Sequence, residues 1–386
     1  MRRLWEIFLV SLKLGCTSFG GPTAHLGYFQ NEYVQKRKWL SDNDYSQLVA
    51  LSQFLPGPAS SQVGMGIGLL RGGLFGSIVS FLGFTLPSVL LLMAFAYFSI
   101  RTGMVMGWIH GLKLVAVAIV AQAIFDMSKK LIPSIHHFII AFLALIVVLW
   151  WIHPLAQVTT IIVASFTGYY FFKKTNQKDD PKETVVPISK TTGVFFLALF
   201  VILLFGLPIA SQLIQYEWFT IIEKFYLSGA LVFGGGHVIL PLLEAQFVQS
   251  GLMSSSDFLA GYGMTQAVPG PLFTFASYIG MVIAGVPGAI IATLAIFLPA
   301  FLLIIGSMPF WLALNRFAGL RGAMSGANAA VVGILAAAFI HPIVTQTIQN
   351  GLDIVFAAVF LWCLMRWKVQ PYLLVLIGIC VGIGCY

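Results

Sequence analysis

Ser52-Gln53-Phe54-Leu55-Pro56-Gly57-Pro58 returns about 213 residues later as Thr265-Gln266-Ala267-Val268-Pro269-Gly270-Pro271. Each run lies in apolar sequence, and each sets two prolines around one glycine. Two prolines remove two backbone donors and forbid regular helix across them. Working outward, Phe19-Gly20-Gly21-Pro22 matches Phe233-Gly234-Gly235-Gly236. Trp39-Leu40-Ser41 leads to Asp44 as Leu252-Met253-Ser254 leads to Asp257. Phe84-Thr85-Leu86-Pro87 matches Phe297-Leu298-Pro299 with one residue deleted, and Gly111-Leu112-Lys113 matches Gly319-Leu320-Arg321. These matches keep their order along both halves, so the chain is an internal duplication.

Composition says where such a chain lives. Hydrophobic residues are 59% of 386 and charged residues 9%, with a mean hydropathy of +0.93. Soluble domains carry about 25% charged residues, so this chain cannot build a soluble surface. The lipid bilayer is its solvent. The net charge of +8 does not point to nucleic acid, because the lysines and arginines fall in short loops where they orient helices. Cys16, Cys363, Cys380 and Cys385 form no Cys-x-x-Cys pair, which excludes zinc or redox spacing. After Met1-Arg2-Arg3 no small-x-small cleavage site follows, so the first apolar segment is expected to stay in place.

Thirteen hydrophobic segments are legible, at 4–27, 46–70, 74–100, 105–127, 137–152, 154–172, 193–214, 221–243, 258–284, 287–312, 322–345, 351–366 and 370–386. The expected fold is an all-α membrane protein with two repeats, 1–172 and 221–386, joined by 173–220. That join is the charged stretch Lys173 to Lys190 plus one connecting helix. Seven segments precede the second repeat. An odd number turns it over, giving inverted repeats with broken or re-entrant helices, an architecture of secondary transporters. Fourteen of the 21 Lys and Arg residues then fall on the side of the N-terminus and six on the other, with Lys13 inside the first segment. The richer side is expected to be cytoplasmic, which leaves the C-terminus outside. Lys36-Arg37-Lys38 breaks the pattern: it is a tolerated exception, or the first segment re-enters.

The motifs point to an anion. Broken backbone at membrane depth is tolerated where it is buried in protein or lines an aqueous cavity. Each helix that restarts after a break has N–H groups without intrahelical partners and a positive dipole end, which together suit an anion. Ser60 and Ser61 follow the first break and Thr274 the second, and their hydroxyls add donors. The paired glycines of Phe-Gly-Gly allow close approach of a ligand or of another backbone.

Phe-Gly-Gly-Pro at 19–22, Gln-Phe-Leu-Pro-Gly-Pro at 53–58, Phe-Gly-Gly-Gly-His at 233–237 and Gln-Ala-Val-Pro-Gly-Pro at 266–271 resemble the paired signatures of the chromate ion transporter family, in its two-domain form, across essentially the whole chain. The resemblance implies a bacterial inner-membrane protein that exports chromate and confers chromate resistance. It also suggests a link to sulfate, a tetrahedral dianion of similar size.

From motifs and resemblance together, the candidate substrate site is Lys13, Phe19, Gly20, Gly21, Gln53, Pro56, Gly57, Pro58, Ser60, Ser61, Gly234, Gly235, Gly236, Gln266, Pro269, Gly270, Pro271 and Thr274. Lys13 is the basic residue well inside a segment, where charge is costly and functional by default; snorkelling to the interface is its alternative. His237 and Glu244 stand seven apart, as do His25 and Glu32. That spacing keeps each pair on one helix face, and His237 with Glu244 is a candidate proton relay. Lys113 and Arg321 read as interfacial, and Gln122, Asp126 and Asn328 as packing groups. There is no Ser/His/Asp set, no metal-ligand set and no nucleotide-binding motif. The reading is therefore not an enzyme, with no cofactor, but a secondary transporter for chromate. A sulfate or related oxyanion transporter or exchanger, or an anion channel, remains the alternative. No signal sets the oligomeric state, and a homo-oligomer stays open.

Overall fold

The computed structural model describes residues 1–101, 106–151, 153–172, 188–214, 216–233, 235–311 and 318–386. The described residues are helical, with no strand among them. The linker stretch 173–187 lies outside them.

The first two apolar segments are hairpins. Helix α1 (Arg2–Thr17) ends at Ser18, and the chain reverses through Gly20 and Gly21, at φ 94° and 80°, a left-handed region glycine enters freely. Helix α2 (Gly21–Phe29) follows and continues as a π-turn, Gln30–Lys36. Lys13 Nζ reaches Glu32 at 3.0 Å and Arg37 reaches Glu6 at 3.4 Å, so α2 runs back antiparallel to α1. The next hairpin pairs α3 (Asp42–Phe54) with the first arm of α4 (Ala59–Arg101). Its closure is visible at the base, where the Arg71 guanidinium lies 4.6 Å from the centre of the Trp39 ring.

At Gly72 and Gly73 (φ/ψ −138°/17° and 64°/−158°) α4 folds back into a long second arm. Ser80 Oγ donates to the Gly64 carbonyl at 2.8 Å across that turn. The remaining helices of this half are α5 (Met106–Leu131), α6 (Ile135–Trp150) and α7 (Pro154–Phe171). Helix α8 (Lys190–Ile214) then runs along the outside with few buried residues.

The second half repeats these devices. Helix α9 (Glu217–Ala230) pairs with a short stack made of Gly236–Val238, α10 (Ile239–Leu243) and a π-turn Glu244–Val248. Lys224 Nζ donates to the Gln246 carbonyl at 2.9 Å across the pair. Helix α11 (Ser255–Thr265) pairs with the start of the Leu272–Thr274 turn and α12 (Phe275–Ser307). Ala284 and Gly285, at −140°/24° and 64°/−156°, reproduce the Gly72-Gly73 turn within a few degrees. Helices α13 (Ala318–Ala338, extended to Thr347 by a π-turn), α14 (Gly351–Arg366) and α15 (Pro371–Cys385) complete the chain.

The repeated Ser-x-x-Asp also finds its purpose. Ser41 Oγ accepts from the Asp44 N–H at 3.1 Å and Ser254 Oγ from the Asp257 N–H at 3.0 Å. Each serine therefore caps the helix that follows, α3 or α11.

Apolar segments and crossings are thus different things here. Segments 4–27, 46–70, 221–243 and 258–284 each hold two arms or parts of two. Among the described residues, five helices are long and apolar enough to cross a membrane: Ala59–Ser99, Gly107–Leu131, Lys190–Ile214, Leu272–Phe310 and Gly319–Thr347. Shorter apolar helices, Ile135–Trp150, Leu155–Phe171, Gly236–Val248 and Pro371–Cys385, stand beside them. Hydropathy does not separate a crossing from a reversal, because both arms of a buried hairpin are apolar.

The hairpin bases lie at opposite ends of the molecule. Glu6, Arg37, Trp39 and Arg71 cluster where the long arm of α4 begins. Asp257 and Tyr278, joined at 3.1 Å, lie at its far end, where the Tyr278 ring stacks on Phe95 at 5.6 Å. A helical arm of 28 residues is about 42 Å long at 1.5 Å per residue. Beside that far end, His110 of α5 bonds Asp353 at 2.7 Å, and Tyr386 joins the same carboxylate. The two chain termini therefore sit at opposite ends.

Candidate functional site

The tips of the hairpins meet and bond crosswise. The Gly57 N–H donates to the Val232 carbonyl, and the Gly270 N–H to the Ser18 carbonyl, each at 2.8 Å. Gly57 and Gly270 are the glycines of the two Pro-Gly-Pro breaks. Ser18 and Val232 are the residues just before the two Phe-Gly-Gly runs. Each break is therefore completed by the opposite half. Packing crosses in the same sense. A Cβ built on Gly57 would lie 3.1 Å from Ala300 of α12, and one on Gly270 would run into Ser88 of α4. Ser88 Oγ also donates to the Pro269 carbonyl. At the centre, a Cβ on Gly236 would meet Leu272 at 3.0 Å and Pro22 at 3.5 Å.

This geometry sorts the backbone donors. The break glycines spend their N–H groups on carbonyls, and Pro56, Pro58, Pro269 and Pro271 have none. The open donors are those of the first turn after each break. In α4 the earliest such bond is Gln62 N–H to the Pro58 carbonyl, at 3.0 Å, which leaves Ala59, Ser60 and Ser61 at the helix start.

The two breaks differ in lining. Ser52 Oγ, just before the first break, and Ser61 Oγ and Gln62 Oε1, just after it, are buried without a hydrogen-bond partner, as are Ser18 Oγ at the second break, His25 Nε2 and Thr85 Oγ1. Gln62 Nε2 donates to the Pro56 carbonyl at 2.9 Å, and His25 Nδ1 lies 3.3 Å from Ser60 Oγ. Buried polar groups are nearly always satisfied, so each of these atoms is a candidate to meet a polar guest. Around the second break, Phe273 and Phe275 stand where the first half has Ser60 and Gln62, both fully buried. Thr274 Oγ1 donates to the Pro271 carbonyl at 2.7 Å, so its proton is spent locally. Gln266 Nε2 is the buried orphan there.

Of the other candidates, Gln53 lines a cavity of about 350 Å³ between α2 and α3, with Gln30, Tyr45, Ser46 and Ala50 among its walls. Phe19 packs on Tyr372, ring centres 4.8 Å apart. Gly20 and Gly21 form the first reversal, and Gly235, at φ 146°, lies in the second. Gly234 falls outside the described residues. His237 Nδ1 lies 2.9 Å from the Tyr262 hydroxyl, whereas Glu244 takes its bond from Gln249 Nε2 at 2.9 Å. The two residues have different hydrogen-bond partners.

Lys13 is a hairpin residue. Its partner Glu32 is 7% exposed in the side chain and also holds Arg37 at 3.0 Å and Lys36 at 3.8 Å. Burial alone would raise the Glu32 carboxyl. Hydrogen bonds from Lys13 and Arg37, and their charges, outweigh it and hold the carboxyl below the usual range. Lys13 is 57% exposed, so the pair is worth about 0.5–1 kcal/mol, the upper part of the range for solvent-facing pairs. A double-mutant cycle of Lys13→Gln and Glu32→Gln, read by thermal unfolding, should return coupling of that size. Additive effects, with Lys13→Gln alone weakening substrate affinity, would instead put Lys13 on the substrate path.

By sequence spacing His25 pairs with Glu32, seven residues on. The structure sets it beside Ser60 of another hairpin, with the Ser18 backbone and the Phe84 ring as its other neighbours. No sequence spacing announces that meeting. A usable signal was the contrast between halves, Ser60 and Gln62 against Phe273 and Phe275.

Among the described residues, no three His, Cys, Asp or Glu side chains gather to hold a metal. No solved structure matches the chain. An uncharacterized transporter of Methanocaldococcus jannaschii is 28% identical over 383 residues, covering 98% of this chain and 93% of that protein. A probable chromate transport protein of Synechococcus elongatus is 28% identical over 352 residues, 88% and 84% of the two chains. A chromate transport protein of Cupriavidus metallidurans is 25% identical over 346 residues, 87% and 82%. The chromate transporter family model matches twice, at residues 5–170 and 219–383, one match holding each Pro-Gly-Pro break. An apolar helical chain so matched over most of its length is a membrane protein that belongs to the chromate transporter family.

Proposed function

We propose that this protein is a secondary transporter that moves chromate outward across the bacterial inner membrane and so confers chromate resistance. Its repeats are 1–172 and 221–386, inverted about an axis through the crossed tips, with 173–220 as the join. The observation that carries this reading is the crosswise bonding of the two breaks, beside which buried polar groups lack hydrogen-bond partners. Matching hairpins with bases at opposite ends support the inversion, and so does the repeated backbone turn at 72–73 and 284–285. Five crossings before the second repeat, α4 to α8, keep the count odd. Alternating access then follows from rocking one half against the other. The substrate lies among the tips, and His237 and Glu244 are separate proton-binding candidates.

Purified protein in liposomes should carry chromate down its gradient, with saturation. Faster flux of sulfate than of chromate would make sulfate the substrate. Unsaturable flux near channel rates would replace the transporter by a channel, and an imposed pH gradient reads the coupling. No movement of either anion would sink the proposal.

Sidedness has its own test. The hairpin geometry returns Lys36-Arg37-Lys38 to the N-terminal end, and so removes the exception to the charge rule. With all four native cysteines, each of which is free, replaced by serine, Lys38→Cys should label from the cytoplasm. A cysteine appended after Tyr386 should label from outside. Labelling of both from one side would break the odd count and the inversion.

A further inference from the structure

We infer that His25 is a substrate-contacting residue, whose Nε2–H donates to a tetrahedral oxyanion held at the start of α4. The inference rests on the transport reading above and adds the group that recognises the anion.

His25 is 1% exposed, and its Nε2 makes no well-formed hydrogen bond, the Ser18 backbone being the ring's polar neighbour besides Ser60. A buried imidazole left half-satisfied costs about 1–3 kcal/mol, an expense that a ligand removes. Nδ1 lies 3.3 Å from Ser60 Oγ. With the Ser60 hydroxyl donating to Nδ1, the ring is fixed in the tautomer whose Nε2 carries the proton. The edge of the Phe84 ring, 5.6 Å between centres, holds the imidazole from the side. Ser60 is in the first turn of α4, so the bond sets the ring at a helix start whose own N–H groups are open. Ser61, 2% exposed with an unpartnered Oγ, belongs to the same turn. Lys13, the nearby charge by sequence, is already bonded to Glu32. Recognition therefore comes from neutral donors and the helix dipole.

In the second half Phe273 and Phe275 replace Ser60 and Gln62, and the histidine there, His237, has its Nδ1 at the Tyr262 hydroxyl instead of at a serine of the helix start. The site is single and lies in the first half, although the fold repeats.

Three substitutions test this in chromate flux with purified, monodisperse protein. Glutamine's amide nitrogen reaches roughly where Nε2 stands, and asparagine's where Nδ1 stands. If Nε2–H holds the anion, His25→Leu and His25→Asn should each raise KM at least about tenfold, the cost of one hydrogen bond to a charged group. His25→Gln should stay within about threefold. Ranking reversed, with asparagine active and glutamine failing, would mean that the ring only braces Ser60, and the inference falls. It also falls if all three variants match wild type. The asparagine and glutamine forms are near in size, so their comparison decides even if the leucine form does not fold. Wild-type protein is the internal control: if it carries neither chromate nor sulfate, the transport reading itself is lost, whatever the variants do.

Discussion

Gly57→Val and Gly270→Val should each abolish chromate flux while leaving protein in the membrane. Both glycines sit at positive φ, 117° and 101°, which a β-branched residue occupies only with strain, about 1–2 kcal/mol from the backbone alone. Side-chain space makes this worse. A Cβ at 57 would press on Ala300 at 3.1 Å and on Gln62 Nε2 at 3.3 Å, and one at 270 would collide with Ser88. Overpacking of this kind costs about 1–3 kcal/mol. The chain can relieve both by moving the break. The Gly57 or Gly270 N–H then loses the carbonyl of Val232 or Ser18, and the halves come out of register at the tips. Neither half supplies a spare, because each bond is made to the other half. Flux should fall to the protein-free background in both variants, against wild-type protein of equal reconstituted amount. Substantial flux by either would show that the crossed bonds are packing detail and that the anion passes elsewhere.

Asp353→Ala should cost more stability than any surface change. Asp353 is fully buried. Its carboxylate takes His110 Nε2 at 2.7 Å, the N–H of Gln349 at 2.7 Å and of Asn350 at 3.1 Å, and the Tyr386 hydroxyl. It also closes a capping box with Asn350 at the start of α14. Four donors thus converge on one side chain and tie α5, α14 and the end of α15 together. Removing it leaves them unsatisfied, roughly 3–5 kcal/mol by analogy with broken buried pairs. Thermal unfolding in detergent should shift down by several degrees or more. Asp353→Asn, which keeps one acceptor oxygen, should fall between. A change within about 0.5 kcal/mol, ordinary for an exposed position, would mean that the donors find water instead.

The duplication was readable because glycine and proline punctuate backbone directly. Pro56-Gly57-Pro58 and Pro269-Gly270-Pro271 could not be regular helix, and the structure has none there. Ser41 and Ser254 were legible as matched positions, and they are matched caps. Crossings were less legible. The sequence of 4–27 reads as one apolar run, and only Gly20, Gly21 and the misplaced Lys36-Arg37-Lys38 hinted at a reversal. Side-chain partners were not legible at all. Lys13 reads as a lone buried charge until the hairpin brings Glu32 to it, and that meeting depends on the fold of α2. The meeting of His25 with Ser60 was likewise invisible, because the two lie 35 residues apart and come together only in three dimensions.

The crossed hydrogen bonds carry a message about ancestry. A polypeptide holding only one half could satisfy its break glycine only by finding a copy lying head to tail against it. Under the proposed inversion such a copy must be inserted with opposite orientation, so both orientations would have to be populated in one cell, and the charge bias of its loops would have to stay near balance. Covalent fusion through α8 lifts that demand: orientation is set once for both halves, and each is free to diverge. The divergence is visible where Ser60 and Gln62 face their counterparts Phe273 and Phe275. One copy sets polar side chains after its break, and the other sets aromatic ones.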